Sequence, residues 1–436
     1  MRAPSCHRHH SQFTLHSKRR PLITPASHTP PSSRVALVLA GGAARGAYEV
    51  GILCYVFDEV ARALGRPIPV DILCGTSVGA INACAIAAAA DDPARGVALL
   101  VREWTGLRLP DLVRANTGEI MGLVRSLIAP KKKKIEPGQV RQGGMLDPTG
   151  IERIVYEAIS FDRISDHIRD GRLSALTIST TDVATGQTVI FIERSTSLPR
   201  WSRDPTIAVR PTRIRAEHAL ASAAVPFLFP AVRLDDDFYC DGGLRQNVPL
   251  SPARRLGATG LLVVNPRYIG PISREVAEGR EINYPGPLFL AGKALNALLL
   301  DRIDNDIARL QRINDILEAG MRRYGPSFVG ELNAEMGTSS SLSELNPLRV
   351  VHIRASADIG AAAGAYVRSP EFAARAGPVV GRVLRRMGEW EGEGEADLLS
   401  YLLFDGAFAS QLIELGRRDA AARHDELCAL FEPRMR

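Results

Sequence analysis

The spacing of apolar and polar residues along this chain changes period several times, and each change marks an element. Val35-Ala36-Leu37-Val38-Leu39-Ala40 is a continuous apolar run, the length of a strand buried on both faces. Gly41-Gly42-Ala43-Ala44-Arg45-Gly46 follows it. From Ala47 to Leu64, residues Val50, Leu53, Cys54, Val56, Phe57, Val60, Ala61 and Leu64 recur at helical spacing, and Gly65 and Pro67 end the pattern. Ile68 to Cys74 predicts a second strand, and the small, largely apolar stretch Val78 to Ala90 predicts a buried helix. Strand, Gly loop, helix, strand, tight turn and helix form a parallel α/β unit with both loops at one edge of the sheet.

The pattern continues beyond this unit. Arg95 to about Leu127 reads as a mixed, mainly helical excursion containing Trp104, and Ala129 to Gly144 as a loop. Thr149 to Ile159 predicts a helix, and Leu173 to Val183 with Gln187 to Ile192 predicts paired strands around Ala184-Thr185-Gly186. Arg215 to Ala224 is a short helix stopped by Pro226, and Phe238 to Cys240 leads into Asp241-Gly242-Gly243. Leu261 to Asn265 and Val350 to Ile353 are further strands. Leu288 to Leu317 predicts a long amphipathic helix, with Ile303, Ile307 and Leu310 on one face. Glu371 to Met387 and Ala396 to Phe431 predict two or three helices. The expected fold class is α/β: three layers, α/β/α, around a central, mostly parallel sheet, with a helical C-terminal extension.

Composition narrows the class without naming the chemistry. The 436 residues are 45% apolar and 23% charged, as in an ordinary soluble protein. No uncharged apolar run approaches the roughly 18 residues of a membrane-spanning helix. The formal charge of +6 is unevenly placed. Residues 1–33 carry Arg2, Arg8, Lys18, Arg19 and Arg20 with no acidic residue, and Lys131-Lys132-Lys133-Lys134 forms a second cluster. The tail has no apolar core of a secretory signal, and its His7, His9, His10 and His16 read as part of a disordered basic segment rather than a metal site. The Lys run suits anionic headgroups, each Lys contributing about 1 kcal/mol near such a surface. Cys6, Cys54, Cys74, Cys84, Cys240 and Cys428 form no C-x-x-C pair or zinc spacing, so they read as reduced thiols of a cytoplasmic protein.

The candidate chemistry starts at Gly75-Thr76-Ser77-Val78-Gly79, where a strand turns into a helix. G-x-S-x-G at such a junction describes a nucleophile elbow, with Ser77 on a turn so tight that Gly75 and Gly79 cannot carry side chains. Ester acyl transfer also needs a base and donors for the oxyanion. The loop after the first strand supplies donor candidates in Gly41, Gly42 and Ala43, and Val78 adds another. Arg45 is equally suited to stabilising charge and to anchoring the loop. A dinucleotide fingerprint is the rival reading of Gly41–Gly46. It needs Gly where Ala43 stands and an acidic residue ending the second strand, and neither is present. For the base, five of the nine His lie in the tail (His7, His9, His10, His16, His28), and His167, His218, His352 and His424 have weak contexts. Asp241 ends a strand, and Gly242 and Gly243 after it let the backbone approach another element. A plain Asp-Gly turn is the alternative reading of the same residues.

Taken together, the Gly41–Gly46 loop, the Gly75–Gly79 elbow, Asp241-Gly242-Gly243, the segment Ala221 to Pro230, and Asn247 with Pro249 resemble the patatin-like phospholipases over about Val35 to Asn265. The family often has three consecutive glycines in its first motif, and here the third is Ala43. The resemblance implies a serine lipid acyl hydrolase with Ser77 as nucleophile and Asp241 as base in a dyad. It implies oxyanion donors at Gly41, Gly42, Ala43 and Val78, motif support from Arg45, Gly46, Gly75, Gly79, Gly242 and Gly243, and an acyl-enzyme intermediate. It calls for no metal and no organic cofactor. Its expected partners are a lipid or other acyl-ester substrate and no nucleic acid, with peripheral membrane contact left open. The expected division is a basic tail (1–33), a catalytic domain (34–268) and a mainly helical extension (269–436). A general esterase on non-lipid or polyester substrates, and a silent lipid-binding scaffold, stay as alternatives. Retention of Ser77, Asp241 and the Gly loop speaks against the scaffold.

Overall fold

The computed structural model describes residues 34–109, 149–198, 201, 204–226, 228–270, 303–337, 345–377, 381–382, 384–385 and 397–432. Its strands are β1 (Val35–Leu39), β2 (Ile72–Thr76), β3 (Ala175–Asp182), β4 (Thr188–Arg194), β5 (Ile207–Pro211), β6 (Val232–Leu234), β7 (Asp237–Asp241), β8 (Gly260–Asn265) and β9 (Arg349–Arg354). They form one sheet in the order β5-β4-β3-β2-β1-β8-β9, with β7 pairing β3 and β6. The run β3-β2-β1-β8-β9 is parallel throughout, and β4 and the β6–β7 hairpin bring the antiparallel contacts.

The continuous apolar strands split by alternation. Val35, Leu37 and Leu39 join one core cluster, while Ala36, Val38 and Ala40 join another. Both faces are thus covered, as a parallel sheet requires. On the first face lie the helices Gly46–Tyr55, Val78–Ala88, Pro93–Gly106, Phe161–Arg169 and Gly406–Ala421; on the second lie Leu250–Arg255 and Ile303–Tyr324. This is the expected three-layer α/β/α arrangement. No helix among the described residues is long and apolar enough to cross a membrane.

Registers set the functional edge. Leu39 pairs Gly75, so the loop after β1 and the elbow after β2 leave the sheet side by side. β3 outruns β2: Ser179 pairs Thr76, and the next residue, Thr180, pairs Asp241 of β7. β7 therefore occupies the edge of β3 that β2 vacates at its elbow, and the end of β7 comes to lie beside Ser77.

Several boundaries differ from the sequence reading. β2 starts at Ile72 rather than Ile68, since Pro69 lacks a ladder donor and Asp71 instead accepts a hydrogen bond from the Val35 amide at 2.9 Å. The long helix runs past Leu317 to Tyr324, where Gly325 at φ 96 ends it, and its expected part before Ile303 lies outside the described residues. β5, β6 and the helix Ile359–Val367 were not expected. C-terminal to them come Pro370–Ala376, Asp397–Leu402, Gly406–Ala421 and His424–Phe431. The division at 268/269 falls inside one compact unit, Ser33–Arg436, and β9 pairs β8 across it. The basic tail, Lys131–Lys134 and the loop 129–144 lie outside the described residues.

Candidate active site

Ser77 sits between β2 and the helix Val78–Ala88 at φ 55, ψ −129, a backbone conformation that L-residues avoid. The glycines around it are there for close approach. A Cβ on Gly75 would lie 2.5 Å from Ala80 Cα, and one on Gly79 would lie 2.5 Å from the Leu39 carbonyl oxygen. The Ser77 amide donates to Ser222 Oγ at 2.8 Å, and that hydroxyl donates to the Ser179 carbonyl at 2.7 Å. Ser222 falls inside the segment Ala221 to Pro230, where a lone Ser in the Ala-rich stretch 219–224 is the only local signal of this role.

Ser77 Oγ donates to Asp241 Oδ2 at 2.5 Å, within the range of a charge-assisted O–H···O bond. The other carboxylate oxygen, Oδ1, accepts from the Gly243 amide at 2.7 Å, and the Asp241 backbone is held by the Ala224 carbonyl and the Thr181 hydroxyl. A Cβ on Gly242 would lie 2.2 Å from the Ser179 carbonyl oxygen, so this glycine lets the acidic loop reach β3. Ser77 is 3% exposed and Asp241 is fully buried. That burial pushes the Asp241 carboxyl up to about 7, although the Ser77 hydroxyl and the Gly243 amide both favour the anion. An aspartate with its ordinary value of about 4 is a weak base; this one titrates in the range where general bases work.

None of the described histidines hydrogen-bonds Ser77 or Asp241. His218 Nδ1 accepts from the Arg215 amide, and its ring packs edge-on against Phe191. His352 lies on β9 and His424 faces Tyr55. His167 lies 3.2 Å from Asp91. Burial lowers both His218 and His352 to about 4.

The loop after β1 closes the other side. Ala43 opens a short 3-10 turn, Ala43–Arg45, and Val78 opens the helix behind Ser77. First-turn amides have no acceptor within their own helix. Ala43 adopts φ 47, a conformation the more usual glycine takes freely. Gly41 departs from expectation: its amide donates to the Asn247 carbonyl at 3.2 Å, and its carbonyl accepts from Asn247 Nδ2 at 3.3 Å. Gly41 therefore anchors the loop, with its amide already engaged. Gly46 is tight for a related reason, since a Cβ there would lie 2.4 Å from Val78 Cγ2. Arg45 is buried, its Nε donating to Ser400 Oγ at 2.8 Å and its guanidinium stacked over the Tyr401 ring. Of its two sequence readings, the structure favours the anchor.

Below Ser77 opens a cleft lined almost entirely by apolar side chains, among them Ile81, Leu100, Trp104, Val225, Phe229 and Phe404. Its volume is about 40 Å³, room for a few waters at most. A buried network stands behind it: Asn82 Nδ2 donates to Glu49 Oε2 at 2.9 Å, and Trp104 Nε1 donates to Asn82 Oδ1 at 3.3 Å. Burial raises the Glu49 carboxyl well above its usual range, against the hydrogen bond from Asn82.

A curated protein from Pseudomonas aeruginosa (strain BWHPSA011 / Pa011), described as a cGAMP-activated phospholipase, is 29% identical over 219 residues, 49% of this chain and 53% of that protein. The chain thus spans about half the length of that relative. The crystal structure of VipD from Legionella pneumophila overlies 88% of this chain and 67% of its own at 12% identity and a TM-score of 0.29. That of the type III effector protein ExoU overlies 86% and 79% at 15% identity and a TM-score of 0.21. Scores this low carry no weight, and the fold rests on its own strand order and registers. The family model for patatin-like phospholipases matches residues 37–254, half of the chain, from β1 through the elbow to the helix after Asp241. The chain belongs to the patatin-like phospholipase family.

Proposed function

We propose that this protein is a serine lipid acyl hydrolase that works through a Ser77–Asp241 dyad. The observation that carries the reading is the 2.5 Å hydrogen bond from Ser77 Oγ to a buried Asp241 at the mouth of an apolar cleft. Ser77 Oγ attacks the ester carbonyl carbon as its proton passes to Asp241 Oδ2. The oxyanion that forms is met by the amides of Gly42, Ala43 and Val78. Collapse of this intermediate breaks the bond to the alcohol, which leaves with the proton from Asp241. A water then attacks the acyl-enzyme as Asp241 accepts its proton; collapse breaks the bond from the acyl carbon to Ser77 Oγ, Oγ takes the proton back from Asp241, and the fatty acid departs.

The apolar cleft suits a hydrocarbon chain, and the relative described as a phospholipase supports a phospholipid as the ester. A substrate of that kind is met at a lipid surface, so peripheral membrane contact by a cytoplasmic enzyme belongs to the proposal, with Lys131–Lys134 as the basic contact. Residues 34–268 carry the dyad and its donors. The test is fatty-acid release from phosphatidylethanolamine and phosphatidylglycerol vesicles by the wild type and by Ser77→Ala. Release that depends on Ser77 supports the reading. A folded wild type that frees no fatty acid from vesicles or from p-nitrophenyl esters overturns it.

A further inference from the structure

The segment from Asp397 onward lies outside the match to the family, yet it reaches the site twice. Its helix Asp397–Leu402 lays Ser400 and Tyr401 on Arg45 of the oxyanion loop. Two residues further on, Phe404 stacks on Trp104, with ring centroids 6.2 Å apart and 13° between the planes. Both rings line the cleft below Ser77, and both are buried.

Phe404 is held firmly. The Gly406 amide donates to the Leu107 carbonyl at 2.9 Å, and a Cβ on Gly406 would lie 1.9 Å from the Thr105 carbonyl oxygen. This contact ties the turn to the end of the helix that carries Trp104. On the other side the Asp405 carboxylate accepts from the Ala407 amide at 3.0 Å, from the Tyr366 hydroxyl at 2.5 Å and from Arg375 Nε at 3.0 Å. The ring is therefore a fixed wall, unlike a side chain on a free surface turn.

We propose that Phe404, stacked on Trp104, is the specificity-determining residue that bounds the acyl cleft and limits the length of the chain it takes. The inference rests on the hydrolase reading of the same site. With room for only a few waters, the cleft takes an acyl chain by parting its walls, and methylenes directed at Phe404 gain nothing while that ring stays in place. Removing the ring opens that space. Each further methylene then buried raises kcat/KM about four-fold, the equivalent of about 0.8 kcal/mol.

The experiment measures kcat/KM for p-nitrophenyl butyrate, octanoate and palmitate with the wild type, Phe404→Leu and Phe404→Ala. The rate of Ser77 modification by a small fluorophosphonate is followed alongside. The expected result is a palmitate-to-butyrate ratio raised at least about ten-fold in Phe404→Ala, consistent with two or more newly buried methylenes, with the ratio rather than the absolute rates carrying the reading. Phe404→Leu keeps most of the packing, and it shifts the ratio the same way by less, which covers an Ala variant that fails to fold. A purely structural role would scale all three substrates and the labelling rate in parallel. That outcome, or an unmoved ratio, overturns the inference while leaving the hydrolase reading in place. A folded wild type that cleaves none of the esters and takes up no probe overturns both.

Discussion

Replacing Asp241 with Asn should separate stability from activity in a way set by pH. The Asp241 carboxyl stands at about 7 in the folded protein because of its burial, against an ordinary value of 3.8. The folded state thus binds a proton more tightly than the unfolded chain. The stability this contributes is fully present below pH about 4 and is lost as pH rises through about 7. At about 1.36 kcal/mol per unit, the loss comes to about 4 kcal/mol. Asn has nearly the same shape, accepts the Gly243 amide through its carbonyl oxygen, and cannot ionise. The stability of Asp241→Asn relative to wild type should therefore grow by about 4 kcal/mol between pH 4 and pH 8. Urea unfolding followed by tryptophan fluorescence at several pH values reads this difference directly. Over the same range the wild-type kcat/KM should rise about ten-fold per unit up to about pH 7, and the variant should lose about three orders of magnitude. A stability difference that stays flat with pH would refute the reasoning, since the carboxylate would then carry no desolvation penalty.

Other consequences follow from the same geometry. Ser222→Ala removes the acceptor for the Ser77 amide and should cost about 1–3 kcal/mol of stability, with kcat falling more than KM changes; steady-state kinetics and denaturant melts check both. Ala43→Gly relieves a residue at φ 47 and should raise stability by up to about 1 kcal/mol with activity retained, as read by thermal unfolding and ester turnover. Gly406→Ala forces a Cβ against the Thr105 carbonyl oxygen and should destabilise by about 1–3 kcal/mol, as read by the same melts.

Much of the site was legible because local sequence dictates it. G-x-S-x-G is the mark of a turn in which Gly75 and Gly79 touch backbone, and an acidic residue followed by two glycines is the mark of a strand end that presses on its neighbour. Both readings agree with the close approaches seen at Gly75, Gly79 and Gly242. Contacts made across long stretches of chain were not legible. The engagement of the Gly41 amide by Asn247 depends on how the segment after Asp241 folds back onto the first loop, 206 residues earlier in sequence. Arg45 pairs with Ser400 across 355 residues, and no local pattern announces that. β5 and β6 escaped for a different reason: β5 is a half-buried edge strand ending at Pro211, and β6 has only three residues, so neither shows a clear period. The raised carboxyl of Asp241 comes from complete burial, which strand alternation alone does not reveal.

The central claim is that Ser77 is a nucleophile activated by Asp241. Its most direct test is covalent labelling with a fluorophosphonate in wild type, Ser77→Ala and Asp241→Asn, followed by mass mapping of the modified peptide. The account predicts a single adduct on Ser77 in the wild type, none in Ser77→Ala, and sharply slowed labelling in Asp241→Asn. An adduct on another residue, or labelling of Ser77 at the wild-type rate without the carboxylate, would contradict it.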